Sequence, residues 1–265
     1  MEINNLFSVK DKVVVVTGGS RGIGEMITAG FLANGAKVYI SARKAPALIE
    51  KANELSDKYN AECIAIPCDL SNVEGIEAFS NEIKEREEGI DFLINNAGAA
   101  WAEPFESFSE AGWDKVMNLN VRSMFFLTQK MKSLLKLRAS VEDPSRVVNI
   151  GSIDGLNVPA FETYSYSTSK AAVHHLTRVM AAKLVKEDIL VNAIAPGPYP
   201  SAMLGSAVNE DYSEIEKHNP RHRVGSPEDI AGLTIFLCSR AGAYTVGETI
   251  TSDGGIVKTG GHNLG

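Results

Sequence analysis

Cysteine, histidine and long apolar runs are all scarce in this chain, and each scarcity removes a class of protein. Only three cysteines, Cys63, Cys68 and Cys238, stand among 265 residues. Their number is odd, their spacing is scattered and no CxxC occurs, so a disulfide framework is excluded and three reduced thiols are expected. Five histidines form no cluster with cysteine or carboxylate at zinc spacing, so no metal is expected. No apolar stretch has the length that crosses a bilayer. The start, Met1-Glu2-Ile3-Asn4-Asn5, lacks a basic region followed by an apolar run, so no secretory signal and a cytoplasmic location are expected. A net charge of −7 argues against non-specific binding to nucleic acid or anionic membranes. It leaves room for a local basic pocket.

What the chain does have is a core and a rhythm. Hydrophobic residues make up 44% and charged residues 22%, ordinary for a globular protein. Short β-branched runs occur at 12–17, 37–41, 62–67, 92–95, 146–150, 190–195 and 248–251. Helical periodicity fills 23–34, 45–59, 73–87, 112–137, 165–185 and 227–239. Strands joined by long helical segments require right-handed crossovers and a parallel sheet. The expectation is α/β: a Rossmann-like, doubly wound, seven-stranded parallel sheet with helices on both faces. No linker, repeat or low-complexity segment divides residues 1–265, so one domain is expected. Two stretches break the rhythm. Residues 137–145 read as a surface loop. Residues 199–224, carrying Pro200 and Pro220 and many charges, read as an irregular insertion at the carboxyl edge of the sheet and as a substrate lid.

Thr17-Gly18-Gly19-Ser20-Arg21-Gly22-Ile23-Gly24 follows the first strand and runs into a helix. The spacing is G-x-x-x-G-x-G. Glycines there permit a tight turn and close approach of the backbone to a pyrophosphate, which the helix N-terminus faces with free N–H groups. Such a turn also occurs as a purely structural feature. At the end of the second strand, Ser41-Ala42-Arg43-Lys44 lacks the acid that would bind the ribose hydroxyls of NAD. Arg43, with Arg21 inside the glycine turn, suits the 2′-phosphate of NADP(H). The alternative is that these are solvated charges.

Tyr166-Ser167-Thr168-Ser169-Lys170 opens a helix. Residues i and i+4 share a face, so phenol and ammonium are neighbours. A nearby cation favours the phenolate and lowers the phenol's ordinary pKa of about 10 toward the working range. This makes tyrosine a usable proton donor to a carbonyl. Alone the pattern is common by chance. Ser152 follows the fifth strand at the same sheet edge and can donate to a substrate oxygen. Asn120 lies inside a helix, where asparagine is a poor former, and reads on its own as binding solvent or a bent backbone.

Taken together, Thr17–Gly24, Asn95-Asn96-Ala97-Gly98, Asn120, Ser152, Tyr166 with Lys170, and Pro196-Gly197 resemble, in order and spacing, the short-chain dehydrogenase/reductase family. The resemblance runs from about Leu6 to Val257. It implies catalytic roles for Asn120, Ser152, Tyr166 and Lys170: Tyr166 as acid/base, Lys170 lowering its pKa and binding the nicotinamide ribose, Ser152 holding the substrate oxygen, Asn120 positioning a relay water. It implies cofactor contacts from Gly18, Ser20, Arg21, Gly22, Ile23, Gly24, Arg43, Asp69, Leu70, Asn96, Ala97, Gly98, Tyr166, Lys170, Pro196 and Gly197. Ser201 stands where the family usually has a threonine beside the nicotinamide amide. It also implies a homotetramer and a small carbonyl or alcohol substrate. Gly19–Gly24, Val147–Ser152 and Ala195–Met203 are similar to β-ketoacyl reductases of the rhamnolipid-pathway type. A sugar, polyol or steroid dehydrogenase on the same scaffold is the chemical rival. A cofactor-binding regulator without turnover is a rival of another class, opposed by the presence of both Tyr166 and Lys170.

Trp101, Phe161, Tyr164, Tyr199 and Met203 are candidates to line a substrate cleft, with ordinary packing as the alternative. Asp154 reads either as a selector of polar substrates or as a turn cap. His174 and His175 read as core or interface residues, and Asp253-Gly254-Gly255 as a structural closing turn.

Overall fold

The computed structural model describes residues 3, 5–159, 161–207, 209 and 211–259. Its elements run β1 (Val13–Thr17), α1 (Gly22–Ala33), β2 (Lys37–Ala42), α2 (Ala45–Tyr59), β3 (Cys63–Pro67), α3 (Val73–Arg86), β4 (Phe92–Asn95), α4 (Glu110–Met117), α5 (Ser123–Arg138), β5 (Ser145–Ile150), α6 (Tyr164–Leu184), β6 (Ile189–Pro196), α7 (Ala202–Ala207), α8 (Ser213–His218), α9 (Pro227–Cys238), β7 (Thr249–Ser252) and α10 (Ile256–Thr259). The strands form one sheet in the order β3-β2-β1-β4-β5-β6-β7, parallel at every pairing. This is the expected doubly wound, seven-stranded architecture.

The strands are apolar runs because both faces of the sheet are covered. Val13 to Val16 are all buried, and their alternation splits the core into two layers. Val14 and Val16 join Ile27, Phe31 and Leu32 of α1, Leu48 and Leu55 of α2, and Ile230 and Leu237 of α9. Val13 and Val15 join Ile76, Phe79 and Ile83 of α3, Leu127 and Met131 of α5, and Met180 and Leu184 of α6. Helices α1 and α9 pack so closely that a Cβ on Gly30 would lie 2.5 Å from that of Ala231. Helix starts are fixed by side chains: Asn72 accepts from Gly75 N at 2.7 Å at the head of α3. Ser226 and Asp229 form a reciprocal capping box on α9.

Three features depart from the expectation. The single helix expected over 112–137 is α4 and α5 joined by a π-helical turn at Asn118–Arg122, in which Ser123 N–H reaches back to Asn118 O. The insertion at 199–224 is not wholly irregular, since it contains α7 and α8. Its ends are tied together by Gly225 N donating to Pro198 O at 2.9 Å. Arg146, a charged residue at the start of the expected fifth strand, is 1% exposed. Its guanidinium donates to Pro144 O and, at 3.3 Å, to Ser239 O at the end of α9. Among the described residues no helix is long and apolar enough to cross a membrane.

Candidate active site

The order of strands reverses between β1 and β4, and the chain leaves both at the same edge. Thr17 is level with Ser41 of β2, Asn95 with Asn149 of β5, and Ile150 with Ile194 of β6. Open α/β sheets bind ligands in the crevice outside such a reversal. Here side chains of two residues bond the main chain across the reversal. Thr17 Oγ1 accepts from Asn96 N and Ala97 N, each at 2.9 Å. Asn96 Nδ2 donates to Thr17 O at 2.9 Å and Gly18 O at 3.2 Å. The loop after β4 is thereby locked to the glycine turn after β1.

The glycines of that turn are required by two measurable constraints. Gly18 and Gly22 have φ of +65° and +54°, where a side chain is strained. A Cβ on Gly24 would overlap the carbonyl of Gly18. The first turn of α1 receives no side-chain cap, Arg21 at its N-cap contributing none. Its leading N–H groups face the crevice uncapped, the arrangement that suits an anion. Arg21 and Arg43 are both exposed at this rim. Asp69, after β3, accepts from Ser71 N at 3.0 Å. That hydrogen bond, chiefly, and the Arg43 guanidinium hold its carboxyl below the usual range. Leu70 is 4% exposed and packs into the core, so what it offers a ligand is main chain. Gly197 closes the far side against Asp253. Ser201 meets the glycine turn across the mouth: a Cβ on Gly22 would lie 3.1 Å from that of Ser201.

Beyond β5 the chain brings together three of the four residues expected to carry chemistry, Ser152, Tyr166 and Lys170. Ser152 and Lys170 are buried. Lys170 Nζ donates to Ile150 O at 2.9 Å and lies 5.4 Å from the centre of the Tyr166 ring. Burial pushes the Lys170 ammonium down to about 8, with Asp154 pulling it back up. The Tyr166 phenol is pushed up to about 12 by burial, with a hydrogen bond to Ser152 acting the other way and Asp154 adding to the rise. The Lys170 ammonium donates to the Ile150 carbonyl, and burial is the largest influence on the phenol.

Asn120 sits in the π-helical turn and uses its amide completely. Its Oδ1 accepts from Ala99 N at 2.8 Å, and its Nδ2 donates to Ala99 O at 2.9 Å and Ser169 Oγ at 3.0 Å. The side chain therefore stitches the β4 loop to α6, and the bent backbone is the better of its two sequence readings. Beneath the site, Asn95 Nδ2 donates to Thr128 Oγ1 and Asn149 Oδ1, and Asn149 Nδ2 to Thr177 Oγ1. This buried polar ladder fixes β4 and β5 to α5 and α6. Thr17 and Asn95 stood within the motifs of the family resemblance; Thr128, Asn149 and Thr177 were not foreseen, the one signal for Asn149 being a polar residue near the carboxyl end of an otherwise apolar strand.

The family whose description is Enoyl-(Acyl carrier protein) reductase matches residues 18–257. The chain belongs to the short-chain dehydrogenase/reductase family. A short-chain dehydrogenase/reductase relative, the rhamnolipids biosynthesis 3-oxoacyl-(acyl-carrier-protein) reductase of Pseudomonas aeruginosa, is 44% identical over 252 residues, 94% of this chain and 98% of that protein. The 2-dehydro-3-deoxy-D-gluconate 5-dehydrogenase of Escherichia coli is 34% identical over 261 residues, 96% of this chain and 98% of that protein. Among solved structures, the Pseudomonas aeruginosa RhlG/NADP active-site complex superposes with a TM-score of 0.92 at 43% identity, covering 96% of this chain and all (100%) of that one. Membership makes this an oxidoreductase acting on CH–OH or C=O groups.

Within this short-chain dehydrogenase/reductase site, several aromatic candidates are not where a cleft would need them. Tyr164 lies about 200° around the helix from Tyr166. It lines instead a shallow hollow of about 480 Å³ on the outer side of α4 and α6, with Phe105, Phe108 and Trp113. Tyr199 is 3% exposed, bonded through its hydroxyl to Ser252 Oγ at 2.6 Å and packed on Gly225. Trp101 lies against Gly112 with Lys115 over its ring at 4.3 Å. Phe161 is exposed on the loop before α6, and the side chain of Met203 lies outside the described residues. His174 is buried behind Ser152, its ring against Gly151 and Gly155. Burial and Lys170 push its pKa down to about 4, so it is a neutral core residue. Asp253 caps α10, accepting from Gly255 N and Val257 N.

Proposed function

We propose that this chain is an NADPH-dependent reductase that converts the ketone of a 3-oxoacyl thioester, or a related ketone, to an alcohol. The observation that carries the reading is the meeting of buried Ser152 and Lys170 with Tyr166 at the carboxyl edge of the sheet, Lys170 Nζ lying 5.4 Å from the centre of the Tyr166 ring. A phenol so placed can give a proton to a carbonyl oxygen.

NADP fits the residues present. The uncapped start of α1, the cradle at Gly18, Gly22 and Gly24 that a Cβ would fill, and the exposed Arg21 and Arg43 suit a pyrophosphate and a 2′-phosphate. The RhlG complex with NADP supports the same assignment. Bound NADPH supplies the hydride. Main chain and side chains at Ser20, Ile23, Asp69, Leu70, Asn96, Ala97, Gly98, Pro196, Gly197 and Ser201 would line its path to the catalytic group. Ser152 holds the substrate oxygen by its hydroxyl, Tyr166 gives that oxygen its proton, and Lys170 holds a positive charge beneath the phenol. Asn120 fixes the loop and α6 in register, and through its main chain can position a relay water. Residues 199–224, tied at their base by Gly225 and Pro198, act as a lid over the substrate.

The carbon skeleton of the substrate follows the relative at 44% identity, a 3-oxoacyl reductase. The match to a gluconate-type dehydrogenase favours a keto-sugar as the second reading. A panel of 3-oxoacyl thioesters, simple ketones and keto-sugars, followed by NADPH absorbance, separates them. Turnover confined to keto-sugars would overturn the first. The protein acts as a homotetramer in the cytoplasm; exposed Phe125 on α5 and Val179 on α6 support helix pairing between copies, and three unpaired thiols support a reducing compartment.

A further inference from the structure

Of the three residues that meet at the site, Tyr166 and Lys170 stand on α6, and Ser152 stands on the short turn that follows β5. Ser152, not Asp154, caps that turn. Its Oγ accepts from Asp154 N at 3.1 Å and its carbonyl accepts from Gly155 N at 3.1 Å. These bonds shape the turn from within and do not fix it to the rest of the fold. The direction of the Ser152 hydroxyl therefore depends on what the turn rests on.

The turn has two seats on α6, one on either side of Ser152. Gly155 rests on main chain: a Cβ there would lie 2.5 Å from the carbonyl carbon of Lys170 and 2.6 Å from Ala171 N. Gly151 rests on a side chain: a Cβ there would overlap Nε2 of His174. The same imidazole reaches the other seat, its Cε1 lying 2.8 Å from a Cβ built on Gly155. Neither glycine has a φ in the left-handed region, so at Gly151 it is the ring that demands the missing side chain.

His174 shares a face of α6 with Tyr166 and Lys170, at four-residue spacing. That face follows the end of β5 level by level. Thr177 Oγ1 accepts from Asn149 Nδ2 at 2.9 Å, and Lys170 Nζ donates to Ile150 O at 2.9 Å. His174 is 4% exposed, and neither ring nitrogen meets hydrogen-bond geometry among the described residues, though the Gly155 main chain acts on the ring. A buried imidazole so poorly satisfied is a costly way to fill space, and an aliphatic side chain would serve packing alone better. What the ring offers is a flat, rigid spacer between two glycines.

We infer that His174 is a positioning residue, the side-chain seat of the Gly151–Gly155 turn, and that it aims the Ser152 hydroxyl at the substrate oxygen. The inference rests on Ser152 holding that oxygen. Removing the ring takes away one seat and leaves the other, so the turn tilts and Ser152 shifts relative to Tyr166. The glycine turn after β1, with Arg21 and Arg43, makes no part of this contact.

The test is a double-mutant cycle between His174→Ala and Ser152→Ala. It is read as kcat and KM for reduction of a 3-oxoacyl thioester at saturating NADPH, with NADPH affinity and melting temperature measured on each variant. His174→Ala alone is expected to lower kcat roughly ten- to a hundredfold, the scale of a small misplacement at a reacting centre, with NADPH affinity unchanged. In the Ser152→Ala background the same replacement is expected to cost nothing further, because no hydroxyl is left to misdirect. His174→Gln, a flat amide that keeps most of the volume, is expected to restore much of kcat, and it takes the place of alanine in the cycle if His174→Ala does not fold. Equal losses of kcat in both backgrounds overturn the inference, as does a lower melting temperature with kcat unchanged; either leaves His174 a packing residue. Wild-type turnover in Ser152→Ala would instead remove the reading on which the inference rests.

Discussion

Replacing Lys170 by methionine should make the protein more stable and less active. The ammonium is fully inside the protein, and burial brings its pKa from 10.5 to about 8. A group whose charged form is disfavoured by that much costs the folded state about 3 kcal/mol wherever it is protonated. Methionine fills a similar volume without the charge. The change also removes the hydrogen bond to Ile150 O, worth about 1–2 kcal/mol of that gain. The net expectation at neutral pH is a stabilisation of about 1–2 kcal/mol, or about 2–6 °C in melting temperature for a chain of this size. The sign depends on pH. The folded-state pKa lies below the unfolded value, so the cost is full below pH 8 and vanishes as pH rises through 10.5. Thermal or urea unfolding without nucleotide, at several pH values between 7 and 10.5, reads this directly. The variant's advantage should shrink as pH rises. A variant no more stable than wild type at pH 7, or an advantage that does not change with pH, would refute the account of Lys170 as a buried charge kept at a cost for function.

Arg43→Asp should reverse the cofactor preference. Loss of a charge-assisted phosphate contact costs about 1.5–3 kcal/mol, so NADPH affinity should fall by roughly ten- to a hundredfold while NADH affinity holds or rises. Equal affinities in wild type, measured by nucleotide fluorescence, would contradict the role given to Arg43. Light scattering should give four times the chain mass of 28.5 kDa; a monomer would contradict pairing through α5 and α6.

Much of the fold was legible in local pattern because a parallel sheet buried on both faces writes its strands as apolar runs. Each strand from β1 to β7 falls within a residue or two of its expected place, and α2 falls on it at both ends. The sequence patterns failed where structure depends on contacts across the sheet. Arg146 is buried because carbonyls at Pro144 and Ser239 accept its guanidinium, and nothing in its neighbours announces that. The π-helical turn follows from Asn120 reaching Ala99 and Ser169, residues 21 and 49 positions away along the chain. The short helices α7 and α8 were read as irregular because six residues are too few to establish a period. At the site, the meeting of Ser152, Tyr166 and Lys170 followed from their places at one sheet edge, while Asn120 reaches Ala99 and Ser169. The partner of the Lys170 ammonium, Ile150 O, was not legible, since i,i+4 spacing predicts proximity but not where the ammonium points. Tyr164, Trp101 and Tyr199 show the same limit for aromatics. Trp101 and Tyr199 each follow a strand in sequence and turn into packing, while Tyr164 faces the hollow beside α4.

The central claim is that Tyr166 gives the proton in an NADPH-dependent carbonyl reduction. Tyr166→Phe removes one oxygen and leaves the glycine turn, Arg43 and Lys170 in place. Its NADPH affinity and its turnover of a 3-oxoacyl thioester, measured side by side with wild type, test that claim most directly. The account predicts unchanged nucleotide binding with turnover reduced at least a hundredfold, on the order of what a general acid contributes. Turnover within a few-fold of wild type would contradict it.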